Sequence, residues 1–225
     1  MMAVNNPLKI DHAAFRAHAE KRLYAEPQPD AFDPLHLPKH GDHRLAEMLA
    51  PADGALHRPA AVLIPIIARR GEATVLLTHR SAHLKDHAGQ VAFPGGKMAL
   101  GDTTPMHTAL REAEEEIGLE GRFIEPIGYL DPYLSSTGFR IVPVVAIIDP
   151  GHRIMIDPNE VESIFEVPLG FLMDPTRHEQ HSREWRGAMR RYYAMPYGGH
   201  YIWGVTAGLS AISMKGCMAN DPRDL

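Results

Sequence analysis

The stretch that most constrains this chain is AAVLIPIIAR, residues 60–69, an apolar run of the kind a protein buries. Arg70-Gly71 marks a turn after it, and TVLLTHR, residues 74–80, is a second such run, so the pair predicts a hairpin. Pro65 cannot donate to a ladder, which predicts that the first strand is an edge or bulged one. FIEPIGYLD (123–131), FRIVPVVAII (139–148) and MRRYYAMPY (189–197) also have strand character. DPNEVESIFEVPLGFLMD (157–174) reads as a strand or turn leading into a short helix, and VTAGLSAISM (205–214) as a C-terminal helix. Strands interleaved with helices predict a mixed sheet with helices packed on its faces.

Upstream, residues 11–24 predict a short amphipathic helix, capped by Asp11 and stapled by Ile10 against Phe15. Residues 26–59 are rich in proline and histidine and read as an extended arm with at most one helical turn near Leu45–Leu49. The expected organisation is therefore an N-terminal helix and arm over 1–59, a main domain over 60–216 and a tail over 217–225. With 225 residues, 44% of them apolar and 23% charged, the chain can bury a real core. Its formal charge of −5 gives no overall bias toward nucleic acid or an anionic membrane, so a phosphate site has to be built locally. Cys217 is the single cysteine, which excludes a disulfide framework and a cysteine-rich metal site. The first residues lack a signal-type apolar stretch and no run is long enough to span a bilayer, so a cytoplasmic location is expected.

One segment puts its charge in an unfavourable place. LREAEEEIGL, residues 110–119, carries Glu112, Glu114, Glu115 and Glu116 immediately before Gly118. Thr104 is a good N-cap, Pro105 suits the first helical position and Gly118 suits the stop. Ala109, Leu110, Ala113 and Ile117 fall on one side and are expected to face the sheet. Glu112, Glu115 and Glu116 stand at i, i+3 and i+4 and share another face, where like charges repel by roughly 0.2–0.5 kcal/mol per pair. They also lie at the negative end of the helix dipole. Arg111 can pair with Glu115, but one arginine does not offset four acids. A solvated acidic face is the commoner fate of such a run. A site for a hard divalent cation is the alternative, with oxygen ligands from carboxylates and from substrate phosphate. The preceding loop favours the alternative. Arg80, His83, Lys85 and His87 form a local basic cluster suited to phosphate, and Gly95-Gly96 allows close backbone approach or exposes a carbonyl to a metal.

Gly96 followed by Arg111-Glu112-Ala113-Glu114-Glu115-Glu116-Ile117-Gly118-Leu119 resembles the box of the Nudix hydrolases. Asp102 stands where that box usually has glutamate, and the spacing from it to Arg111 is one residue longer. Both departures occur in the coenzyme A pyrophosphatase branch of the family. That branch also carries an upstream pattern, read here as Leu76-Leu77-Thr78-His79-Arg80-Ser81, Lys85 in place of arginine, Gly89 and Phe93-Pro94-Gly95-Gly96. STGFRIVP (136–143), FEVPL (165–169) and YIWGVTA (201–207) resemble further segments of the branch, so the likeness covers roughly residues 60–214.

The resemblance implies an α/β/α sandwich around a mixed sheet, with the N-terminal helical and extended arm outside it. It implies metal-dependent hydrolysis of the diphosphate of coenzyme A or acyl-CoA, giving 3′,5′-ADP and (acyl-)4′-phosphopantetheine. Mg²⁺ or Mn²⁺ would be held by Glu112, Glu115 and Glu116 with the Gly96 carbonyl, and Arg111 would hold a glutamate in place. Arg80, Lys85, His87 and Gly95 are the candidates for contact with the substrate, and Glu160 is an alternative general base. Two other readings stand beside this one. They are a Nudix pyrophosphatase for another nucleoside diphosphate derivative, such as ADP-ribose or NADH, and a catalytically silent nucleotide-binding module. No nucleic-acid or membrane partner is expected, and the arm would suit a homodimer contact.

Overall fold

The computed structural model describes residues 8–31, 33, 36–45, 57–185 and 188–214. In chain order the helices are α1 (His12–Ala19), α2 (Pro105–Ile117), α3 (Leu169–Met173) and α4 (Gly204–Gly208), the last running into a wider helical turn over Leu209–Met214. The strands before α2 are β1 (His40–Gly41), β2 (Arg58–Ile67), β3 (Thr74–Arg80), β4 (Val91–Ala92) and β5 (Gly95–Lys97). Those after it are β6 (Ile124–Tyr129), β7 (Tyr133–Leu134), β8 (Phe139–Ile148), β9 (Val161–Pro168), β10 (Glu179–Trp185), β11 (Ala188–Tyr197) and β12 (His200–Trp203).

The first nine strands make one mixed sheet in the order β1-β7-β8-β2-β3-β4, with β6 also on β8, β5 also on β2 and β9 also on β3. At its centre β2 and β8 run parallel over their full lengths, Arg58 opposite Phe139 through Ile67 opposite Ile148. Parallel strands are buried on both faces, which is why both read as continuous apolar runs rather than as alternation. Ala61, Leu63 and Ile67 of β2 pack with Ala109, Ala113 and Ile117 of α2 in one core cluster. Ile64 and Ile66 point the other way, into a second cluster with Phe15 of α1, Leu169 and Leu172 of α3, and Ala207 of α4. The fold is thus an α/β sandwich, a mixed sheet with helices on both faces, as expected.

Pro65 does not make β2 an edge strand, because β2 has neighbours on both sides. Strand residues alternate the side to which their N–H points. Leu63 directs its N–H away from β8, to the carbonyl of Pro94, and Pro65 shares that side. β5 pairs with residues 60–62 and β3 with residues 66–67, so the missing donor falls in the gap between the two partners.

Helix α1 is capped as expected, the Asp11 carboxylate accepting from Ala14 N at 2.8 Å, and Ile10 and Phe15 are buried in one cluster. It ends at Ala19 rather than near residue 24. Tyr24 instead exchanges backbone hydrogen bonds with Tyr129 at 3.0 and 2.9 Å, which lays the chain against the end of β6. The helical turn before Leu45 spans Asp42–Arg44, and positions 46–49 of the expected turn lie outside the described residues, as does the tail 217–225. β10, β11 and β12 form a separate antiparallel sheet; of these three, sequence pattern revealed β11 alone. EQHSREW, the sequence of β10, carries no apolar alternation from which a strand could be read.

Candidate active site

The glutamate helix is built as its sequence dictates. Thr104 accepts from His107 N at 3.0 Å, Pro105 opens the helix, and Gly118 closes it at φ 64°. Ala109, Ala113 and Ile117 are fully buried against the sheet, which fixes the rotation of α2 and directs Glu112 and Glu116 toward β5.

There the two glycines of FPGG meet the two glutamates. Gly95, at φ 152°, donates its N–H to Glu116 Oε2 at 3.0 Å, and a β-carbon on it would collide with the backbone of Ala61 and Val62. A β-carbon on Gly96 would run into the Glu112 carboxylate. Glycine is required at both positions by close approach. Arg80 Nη1, from the end of β3, lies 3.3 Å from Glu116 Oε1.

Glu116 is the most buried of the glutamates on α2, with its side chain 2% exposed. Its carboxyl is raised to about 7, chiefly by burial; the Gly95 N–H and Arg80 act against the rise, and the charges of Glu112 and Glu160 add to it. Burial also raises Glu112, against the hydrogen bond from Arg111, and Glu115 and Glu160 add to the rise. Glu112, Glu116 and Glu160 therefore feel one another's charge, and all three line one cavity of about 1240 Å³.

Glu115 lines the same cavity but is half exposed, and its carboxylate accepts from Arg111 Nη1 at 2.7 Å. Arg111 also reaches Glu112 Oε1 at 2.8 Å. It is held from behind by Asp102, with Nε and Nη2 on the two carboxylate oxygens at 3.1 and 2.9 Å. Asp102 further accepts from Thr108 Oγ1 at 2.9 Å and from Ala99 N at 2.8 Å. The hydrogen bond from Arg111 holds the Asp102 carboxyl well below the usual range, and the same bond raises Arg111.

Of the residues expected to meet substrate, Arg80, His87 and Gly95 line the cavity, with His87 at φ 58° and its Nδ1 3.0 Å from Gln90 Oε1. Lys85 is exposed and is not on the cavity wall. Glu160 is brought in by its loop, whose backbone carbonyl at Glu160 accepts from Ser81 N at 2.9 Å. Sequence reasoning missed the structural part played by Asp102, although its place nine residues before Arg111 was on view. It also missed Arg183, Arg190 and Arg191, which line the same cavity and which no motif marks.

A family model described as the NUDIX domain matches residues 56–187, more than half of the chain. The chain belongs to the Nudix family. Its class is that of the Nudix-type pyrophosphatases. The Nudix hydrolase NudL of Escherichia coli O7:K1, itself uncharacterised, is 44% identical over 153 residues, covering 68% of this chain and 79% of that protein. NudL of Escherichia fergusonii matches equally, 44% over 153 residues with the same coverage. Among solved structures, a Caenorhabditis elegans Ap4A hydrolase complex aligns with a TM-score of 0.43 at 17% identity, over 49% of this chain and 80% of that one.

Nudix proteins typically bind a divalent cation. Among the described residues no three His, Cys, Asp or Glu side chains converge as a ready ligand set. The reason is visible in the contacts: Glu115 is turned to Arg111, while Glu116 is engaged by Gly95 and Arg80. The donor chemistry nevertheless fits, since Glu112 and Glu116, both raised by burial and by neighbouring carboxylates, offer oxygen ligands suited to Mg²⁺ or Mn²⁺. No helix among the described residues is long and apolar enough to cross a membrane.

Proposed function

We propose that this Nudix protein hydrolyses the diphosphate of coenzyme A or acyl-CoA to 3′,5′-ADP and (acyl-)4′-phosphopantetheine, with Mg²⁺ or Mn²⁺. One observation carries the reading. The segment 76–96, which bears the pattern of the coenzyme A branch, lies directly on the glutamates of the box. Arg80 and Gly95 hold Glu116, and Gly96 abuts Glu112.

Glu112, Glu115 and Glu116, with the Gly96 carbonyl, would hold the cation. When bound, it supplies charge neutralisation for the diphosphate and acidifies water for attack. The chain's own residues do the rest. Asp102 fixes Arg111, and Arg111 fixes Glu112 and Glu115, so the carboxylates keep their positions when substrate charge arrives. Glu116 and Glu160, both at the cavity, are the candidates to take the proton of the attacking water. Arg80 and His87 stand where they can meet the diphosphate.

Product analysis after incubation with coenzyme A and Mn²⁺ tests this. The expected products are 3′,5′-ADP and 4′-phosphopantetheine. Equal or faster turnover of ADP-ribose or NADH in the same panel would move the substrate elsewhere in the family. No turnover of any diphosphate would make the chain a binding module.

A further inference from the structure

One cavity is lined by two chemically different groups of residues, the acids described above and residues of the small sheet β10-β11-β12. Five Lys or Arg residues line the cavity, and three of them, Arg183, Arg190 and Arg191, come from the β10–β11 hairpin. Of the other two, Arg80 lies beside Glu116, with Nη1 3.3 Å from Oε1.

The register of the hairpin sharpens the point. Arg183 lies directly opposite Arg190. Tyr192 shares the face of Arg190 by the two-residue alternation of a strand. Trp203 joins that face from β12, opposite Ala194, and its ring meets Tyr192 edge-on at 5.5 Å. Arg183, Arg190, Tyr192 and Trp203 therefore form one surface of two guanidinium groups and two aromatic rings, and all four line the cavity. Arg191, on the opposite face of β11, reaches the same cavity.

Paired guanidinium groups match a phosphate monoester by forked hydrogen bonds, and aromatic rings receive a base. The cavity volume, about 1240 Å³, exceeds the roughly 300–1,000 Å³ of an ordinary ligand cleft, which leaves room for a large ligand that meets both groups of residues. We propose that the β10–β11 hairpin is the specificity element of this enzyme. Arg183 and Arg190, with Arg191 beside them, receive a phosphate monoester carried on the nucleoside, the 3′-phosphate of coenzyme A, while Tyr192 and Trp203 receive the base. The identity of that phosphate rests on the coenzyme A reading given above.

The test compares kcat/KM for coenzyme A and for 3′-dephospho-coenzyme A, with Mn²⁺, in wild type and in Arg183→Gln/Arg190→Gln. The wild type is expected to favour coenzyme A. The double variant is expected to lose roughly 10–100-fold on coenzyme A, chiefly through KM, and much less on the dephospho compound, so that the preference collapses. A preference that survives the double variant, or a parallel fall on both substrates, overturns the proposal. Should the double variant not fold, Arg183→Lys keeps the charge and removes the fork, and a partial loss confined to coenzyme A is expected; an unchanged preference counts against. If wild type hydrolyses no coenzyme A, the proposed function fails, and the hairpin is then judged by calorimetric titration. Adenosine 3′,5′-diphosphate binding more tightly than 5′-AMP, with the difference lost in the variant, supports it, and equal binding ends it.

Discussion

Glu116 shows at one residue the cost of building this site. A carboxylate held 98% out of solvent, beside two further acids, is a poor choice for stability. Its folded value, raised to about 7 from 4.5, means that the charged form opposes folding. The stability penalty is absent below the unfolded value, grows as pH rises through the window between the two values, and is complete above the folded one. Glu116→Gln is therefore expected to change two measurements in opposite directions. Chemical denaturation of the metal-free protein at pH 8 should show the variant more stable, by about 1–3 kcal/mol. Turnover with saturating Mn²⁺ should fall by about 10²–10⁴-fold. A variant as active as wild type would remove Glu116 from the chemistry. Asp102 is a positioning residue by contrast, since it meets Arg111 and reaches the acids through it. Asp102→Asn keeps the shape but removes the charge that anchors Arg111. Activity is expected to fall roughly 10–100-fold, with the metal requirement shifted to higher Mn²⁺, whereas Asp102→Glu should restore part of both. A loss of folding without that metal shift would make Asp102 merely structural.

Among the elements, the turn joining β2 to β3 is tied to β9 by a second, independent charge contact. Glu166 accepts from Arg69 Nε at 3.1 Å and from the Thr74 hydroxyl. Burial alone would raise the Glu166 carboxyl, but these hydrogen bonds hold it below its ordinary 4.5. A depressed carboxyl contributes stability that is full above the unfolded value and disappears as pH falls through the folded one. Arg69 is 40% exposed, so the contact is worth about 1 kcal/mol or less. Wild type and Glu166→Gln should thus differ in denaturant midpoint at about pH 7 and converge toward about pH 3. A difference that persists in acid would point to packing instead. Element by element, the acidic half of the cavity was legible in the sequence because one helix and one turn carry it. Thr104, Pro105 and Gly118 bound α2, its apolar residues set its rotation, and Gly95-Gly96 could be placed beside it. The basic half was not legible, because Arg183, Arg190 and Arg191 reach the cavity only through the pairing of β10 with β11. That register is long-range, and the polar sequence of β10 leaves no trace of it. Lys85, close to Arg80 in sequence, is exposed and does not line the cavity, whereas its neighbours Asp86 and His87 do.

For the whole molecule, the apolar runs gave the central strands and the sandwich follows from them. Pro65 misled because an edge was inferred from one missing donor, whereas a centre strand with two short neighbours has room for such a gap. The position of α1 was also beyond the pattern, since nothing local announces that Phe15 packs with Ile64 and Leu169. The assembled molecule keeps its repulsive acids on the wall of a large cavity in a chain whose net charge is −5, so a bound dication should act on the stability of the whole fold. A ligand that binds only the folded state at 100 times its dissociation constant stabilises by about 2.7 kcal/mol. For a domain of this size that corresponds to a rise in melting temperature of roughly 5–10 °C. Mn²⁺ should produce such a rise in wild type. Glu112→Gln/Glu116→Gln should start from a higher melting temperature without metal and gain little on its addition, because the same substitutions remove both the repulsion and the ligands. Two further results would break the link drawn between acid repulsion and cation binding: a wild type that melts alike with and without Mn²⁺, even alongside nucleotide, or a double variant that keeps the full shift.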